Sequence, residues 1–272
     1  AKPLLISELT TDTASYAETA YFLGNIYFGE NKKDSAEFYF KSGLTRTPAY
    51  PQNRVGLIML NLKKDSVAAE AEFTAMLKEK ANKKNINLAI SIGYAYLNNN
   101  MISKAMTYYN KAKALNNKNP QVYVLLADIT AGINIGEACS YYESAILYDK
   151  NCKEAYFKYA RAYKNSNPKL AISKLNTLHE IDPDFSLVER ELGDIYYATN
   201  DFEKAAENYE TYLNSGKTTT ISDLTKYSMT LFLNHDFNKS LEVAKMGLQK
   251  APASPAFNRL AMYNYVDLKQ SE

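Results

Sequence analysis

The chain of 272 residues holds two cysteines, two histidines, no tryptophan and almost no net charge. Each scarcity removes a class of function. The cysteines, Cys139 and Cys152, stand thirteen positions apart. A helix expected over 137–149 separates them by about 20 Å at 1.5 Å per residue, beyond the reach of a disulfide. Both read as free thiols, Cys139 as a buried one, and low cysteine use leaves the redox compartment open. His179 and His235 have no neighbours at metal-ligand spacing, so both are read as structural. His179 falls near a helix end, where a cation is favoured by the helix dipole, and His235 falls in a turn. A glycine-rich phosphate loop, a nucleophile elbow and a paired-cysteine motif are all missing. No catalytic residue, cofactor or metal is therefore expected.

No stretch approaches the roughly 18 uninterrupted apolar residues of a membrane helix, and the chain reads as soluble. Apolar residues still make up 46%, ample for a continuous core. Lysine plus arginine total 32 against 30 acidic residues, a formal charge of +2. The two signs are interspersed, as in Asp201-Phe202-Glu203-Lys204. The basic stripe of a nucleic-acid binder is thus lacking, and neither nucleic acid nor an anionic membrane is expected as partner. Residue 1 is alanine, from which removal of an upstream segment is expected. The compartment is left between the cytoplasm and, if a signal sequence was removed, the periplasm.

What the chain has in quantity is repetition. Leu23-Gly24-x-x-Tyr27, Ile92-Gly93-x-x-Tyr96 and Leu192-Gly193-x-x-Tyr196 are three versions of one phrase. Each is followed twelve residues after its glycine by alanine (Ala36, Ala105, Ala205) and four later by an aromatic ring (Phe40, Tyr109, Tyr209). The glycines lie 69 and 100 residues apart, close to two and three copies of a unit of about 34, the length at which helical hairpins repeat. Small residues let two helices approach closely while the rings fill the space around them. An array of this kind offers an extended surface and seldom a reaction centre.

Registering on the glycine gives units at 17–49, 50–83, 86–119, 120–152, 153–185, 186–219 and 221–254. Residues 255–268 form a terminal helix and 1–12 the remnant of a preceding one; all belong to one solenoid spanning 1–272. The second unit is the least regular. Leu57, Leu60, Ala69, Phe73 and Met76 are read into its key places, with no small residue opposite Ala69. Pro168 falls in the turn of the fifth unit, where a helix must stop.

This register resembles the tetratricopeptide repeat family, whose unit of 34 places Leu-Gly, Tyr, Ala, an aromatic, Ala and Pro at fixed points. The resemblance covers essentially the whole chain. It departs from the family in the absence of tryptophan and in the loss of the closing proline from several units. It implies an all-α, right-handed superhelical solenoid of antiparallel helix pairs, acting as a non-catalytic scaffold that binds a peptide or partner protein in its concave groove. Carried over position by position, the family's groove residues fall at Tyr21, Asn25 and Phe28; at Asn87, Ile90, Tyr94 and Leu97; at Val124 and Asp128; at Phe157, Arg161 and Lys164; at Arg190, Asp194 and Tyr197; and at Met229 and Phe232. Phe28, Tyr94, Tyr197 and Phe232 lie outside the small-residue packing pattern and are candidate anchors for a peptide. On that basis Phe28→Ala or Phe232→Ala should weaken partner capture while leaving melting nearly intact. Arg161, Lys164 and Arg190 are candidate holders of a carboxylate, with Asp128 and Asp194 as their neutralising partners. The subtype that clamps acidic chaperone tails is set aside, because Tyr21 occupies the place of its lysine. Two other readings remain open: a cell-envelope assembly component that self-associates, and the regulatory part of a larger multidomain chain.

Overall fold

A computed structural model describes residues 2–11, 15–216 and 218–270. The described residues form sixteen α-helices and no strand. Contacts within the chain gather them into two compact units, residues 1–148 and 149–272.

The first unit holds α1 (Lys2–Thr11), α2 (Tyr16–Gly29), α3 (Lys33–Arg46), α4 (Gln52–Met59), α5 (Ser66–Lys78), α6 (Ile86–Asn98), α7 (Ile102–Leu115), α8 (Pro120–Ala131) and α9 (Ile135–Tyr148). Its tightest pairings are α2 with α3, α6 with α7 and α8 with α9. Short connections make each pair an antiparallel hairpin. One core runs through this unit, from Tyr21 and Phe40 through Phe73, Tyr96 and Tyr109 to Leu126. The second unit holds α10 (Lys153–Tyr163), α11 (Pro168–Ile181), α12 (Leu187–Ala198), α13 (Phe202–Asn214), α14 (Ile221–Leu233), α15 (Phe237–Lys250) and α16 (Pro255–Gln270). There α10 pairs with α11, α12 with α13 and α14 with α15, while α16 packs on α15. A core around Tyr209, Tyr227, Leu231 and Phe257 holds α13 to α16 together. Stacked helix pairs are the architecture of an α-solenoid.

The repeated glycines explain the tight hairpins. A Cβ at Gly24 or at Gly93 would run into the ring of Phe40 or Tyr109, and at Gly193 it would lie 2.8 Å from Tyr209. Only a hydrogen at these positions lets the facing ring lie flat against the helix backbone.

Local chemistry starts and stops the helices. Side chains of Asp65, Asn85, Asn119, Asn167, Asp201 and Asp236 each accept a hydrogen bond from the backbone N–H three residues on, at 2.9–3.3 Å. Each satisfies a donor that the first helical turn leaves without a partner. Asn31, Asn100, Asn200 and His235 occupy the left-handed backbone region, with φ between 58° and 61°. All four sit in the turn inside a hairpin, and asparagine tolerates that conformation better than most residues because its short side chain bonds locally.

The second hairpin corrects the sequence register. The buried positions of α4 are Gln52, Asn53, Val55, Gly56 and Met59, whereas Leu57 and, just beyond the helix, Leu60 are half-buried. The small residue of α4 is Gly56, which packs on the preceding hairpin. It faces Phe40, whose ring is therefore clasped between Gly24 and Gly56. With only eight residues, α4 is too short for its own periodicity to declare a face. On α5, Ala69, Phe73 and Met76 are buried as expected.

Candidate functional site

In the first unit, α2 and α6 present side chains to one cavity of about 680 Å³. Tyr21 and Asn25 lie four residues apart on α2, and Asn87, Ile90 and Tyr94 follow at steps of three and four on α6, so each set shares a helix face. Five of the seventeen groove residues expected from the sequence, Tyr21, Asn25, Asn87, Ile90 and Tyr94, thus meet around a single space. Tyr50 and Phe22 extend its aromatic wall. Their rings lie 6.4 and 6.0 Å from that of Tyr21, the first edge-on.

The cavity has a definite polarity. Among the described residues Glu18 is its one charged lining side chain, and no lysine, arginine or histidine reaches it. Burial, followed by the charge of Glu18, pushes the Tyr50 hydroxyl well above its ordinary pKa. Burial likewise raises Tyr21, against the opposing pull of Ser91 and Asn25. Gln52, absent from the sequence reading, also lines the space. It is 5% exposed, and among the described residues its Oε1, like Oδ1 of Asn25, accepts no hydrogen bond. Sequence missed it because it opens the irregular second hairpin.

Other expected residues of this unit lie apart from the cavity. Phe28 packs against the core and borders a separate cleft with Leu60 and Asn98. Val124 is buried. Asp128 accepts a hydrogen bond from the Tyr142 hydroxyl at 2.8 Å.

In the second unit the expected groove residues form a ladder of ion pairs. Arg161 Nε and Lys164 Nζ reach the two oxygens of Glu191 at 3.4 and 3.1 Å. Asp194 takes Lys226 Nζ at 2.7 Å and the Tyr209 hydroxyl at 2.7 Å, with Lys164 at 3.9 Å. Arg190 Nε bonds Asp223 at 2.8 Å. Glu191 and Asp223 are 9% and 1% exposed at their side chains, whereas Arg161 and Arg190 are 56% and 34% exposed, so an incoming carboxylate would have to compete with buried acids for these cations. Arg161, Lys164 and Arg190, expected as holders of a ligand carboxylate, are thus each paired within the protein. Asp194 stands 3.9 Å from Lys164 and takes Lys226 more closely, while Glu191 and Asp223 take the arginines. The signal was present as opposite charges about one repeat apart, though spacing alone does not reveal which of them meet.

The aromatic candidates of this unit are engaged within the protein. Phe157 stands edge-on to Phe185 at 5.3 Å, and Tyr197 to Phe202 at 5.9 Å. Phe232 lies against Phe237 and Tyr263 at 5.5 and 6.1 Å. Met229, Tyr197 and Phe232 pack on the core. Phe28 and Phe232, expected as anchors, are thus half-buried and pack on the cores of their units.

Both cysteines are free thiols, Cys139 buried and Cys152 half-buried. Among the described residues no group of three histidines, cysteines or acids is placed to hold a metal ion. No described helix is long and apolar enough to cross a membrane.

Comparison with known proteins follows the hairpins. The tetratricopeptide repeat family model matches residues 17–50, 86–119 and 191–215, the three segments that carry the Leu/Ile-Gly-x-x-Tyr phrase. No curated protein matches the sequence. Among solved structures, PilW, a type IV pilus biogenesis factor, is similar at 16% identity and a TM-score of 0.60, over 78% of this chain and 98% of its own. The pilF protein of Pseudomonas aeruginosa is similar at 11% identity and a TM-score of 0.59, over 92% and 99%. YrrB, described as a TPR protein with an unusual peptide-binding site, is similar at 16% identity and a TM-score of 0.56, over 69% and 96%. At such identities the likeness is one of fold.

Proposed function

Because the chain carries tetratricopeptide repeats, we propose that it is a non-catalytic interaction scaffold whose peptide-binding groove is the cavity between α2 and α6. The division into seven repeats, from 17–49 to 221–254, belongs to the same reading. The observation that carries it is the convergence of Tyr21, Asn25, Asn87 and Tyr94 on one cavity. Terminal amides of asparagine and glutamine offer a donor and an acceptor side by side, the complement of a peptide unit. Aromatic rings beside them supply apolar contact at low entropic cost. In the second unit the charged side chains already satisfy one another, which favours the first unit as the place of capture.

The test is to pan a random-peptide display library on the intact chain. Enriched peptides should lose binding to Tyr94→Ala and Asn87→Ala, both with unchanged melting. Enrichment that survives both substitutions, or no enrichment at all, contradicts the reading.

A further inference from the structure

The same cavity carries an inference about what it receives, which rests on its being the groove. We propose that it takes a basic side chain of the bound peptide, and specifically the planar guanidinium of an arginine.

Three features point to a cation. Among the described residues Glu18 contributes the only formal charge of the lining and makes no ion pair. The surrounding walls are aromatic, with Tyr21, Phe22, Tyr50 and Tyr94 on the lining, and ring faces attract cations through their quadrupoles. Two amide oxygens, Gln52 Oε1 and Asn25 Oδ1, accept nothing from the described residues although Gln52 is 5% exposed. Oxygen and nitrogen of a terminal amide exchange places by a half-turn. Which atom faces inward is then set by the ligand.

Arginine fits this set better than lysine. A guanidinium has five N–H donors in one plane and stacks on aromatic faces, so it can bond the amide oxygens and Glu18 while lying against a ring. An ammonium is a strongly hydrated point charge and gives up more water on entering. An acidic peptide would meet Glu18 and the ring faces with the wrong sign, which excludes it by repulsion as much as by lack of partners. The opposite sign of ligand was the one considered for the second unit, where the cations are already paired.

The experiment takes the peptides selected on the intact chain and measures their affinity by calorimetry beside versions in which each arginine is replaced by citrulline, an uncharged near-isostere. The expected result is arginine enriched at a single position, and citrulline there weakening binding by about tenfold or more. Glu18→Gln should weaken the arginine peptide and leave the citrulline peptide unchanged. Binding that falls with added salt for the arginine peptide alone would accord with this. If the selected peptides carry apolar or acidic residues at the shared position, and still require Asn87 and Tyr94, the guanidinium proposal is wrong and the groove stands. If citrulline or Glu18→Gln changes nothing, the proposal is likewise overturned. If binding requires none of these residues, the groove and the proposal fall together.

Discussion

Asp223 lies almost wholly buried beside Arg190, whose Nε donates to its Oδ1 at 2.8 Å, while its other oxygen accepts from the backbone N–H and hydroxyl of Thr220 at 2.9 and 2.7 Å. One carboxylate thus closes the capping box that starts α14 and anchors the arginine that sequence alone offered as a ligand contact. Burial pushes the Asp223 carboxyl up, but Thr220 and Arg190 together outweigh it and hold it below the ordinary 3.8.

A depressed folded-state pKa means that the carboxylate contributes stability above the unfolded value, near pH 4, and that this is lost as pH falls through the folded value. Asp223→Ala should therefore cost about 2 to 4 kcal/mol at pH 7, from the lost cap and the uncompensated Arg190. Asp223→Asn should flatten the acid limb of the stability profile below pH 4. Urea melts of the variants between pH 2.5 and 7 check both.

Gly193→Leu should destabilise by about 1 to 3 kcal/mol or more, since even the first added carbon would stand 2.8 Å from the Tyr209 ring and overpacking forces the backbone apart. Gly132→Leu is the control: a Cβ there meets nothing within 4 Å. Its melting temperature should move far less than that of the Gly193 variant.

Phe232→Ala should lower stability by about 2 to 4 kcal/mol, because the ring is packed on Phe237, Tyr263 and the second core and its loss leaves a cavity. Unchanged melting together with lost partner capture would restore it as an exposed anchor.

Glu70 accepts from the hydroxyls of Tyr96 and Tyr108, each at 2.6 Å, and from Lys104 at 3.1 Å. Glu70→Ala leaves two tyrosine hydroxyls with a lost acceptor and should cost about 1 to 3 kcal/mol. Glu70→Gln keeps one acceptor and should recover part of that, read by thermal unfolding at pH 7.

The helical array was legible because its devices are local. Gly24, Gly93 and Gly193 announce close approach, and the rings that fill it, Phe40, Tyr109 and Tyr209, follow at fixed distance in sequence. The half-turn at Asn31, Asn100 and Asn200 could have been read the same way, since these residues share the 69- and 100-residue spacing of the glycines. The register of α4 was not legible. Gly56 faces a ring from the preceding hairpin, so its meaning depends on Phe40 sixteen residues earlier. Of the site residues, those on α2 and α6 that meet at one cavity could be listed by carrying over the groove positions that the family resemblance implies. Which arginine finds which acid could not, because Arg161 with Glu191 and Arg190 with Asp223 are joined by tertiary placement of neighbouring helices. Gln52 was missed because it opens the irregular second hairpin.

The measurement that bears most directly on the whole account is a crystal structure of the intact chain with a peptide selected on it. The account predicts a peptide lying along α2 and α6, its backbone bonded by Asn25 and Asn87 and a guanidinium between the tyrosine rings and Glu18, with the Glu191, Asp194 and Asp223 pairs unbroken. A peptide seated instead among Arg161, Lys164 and Arg190, with those pairs opened, would contradict it.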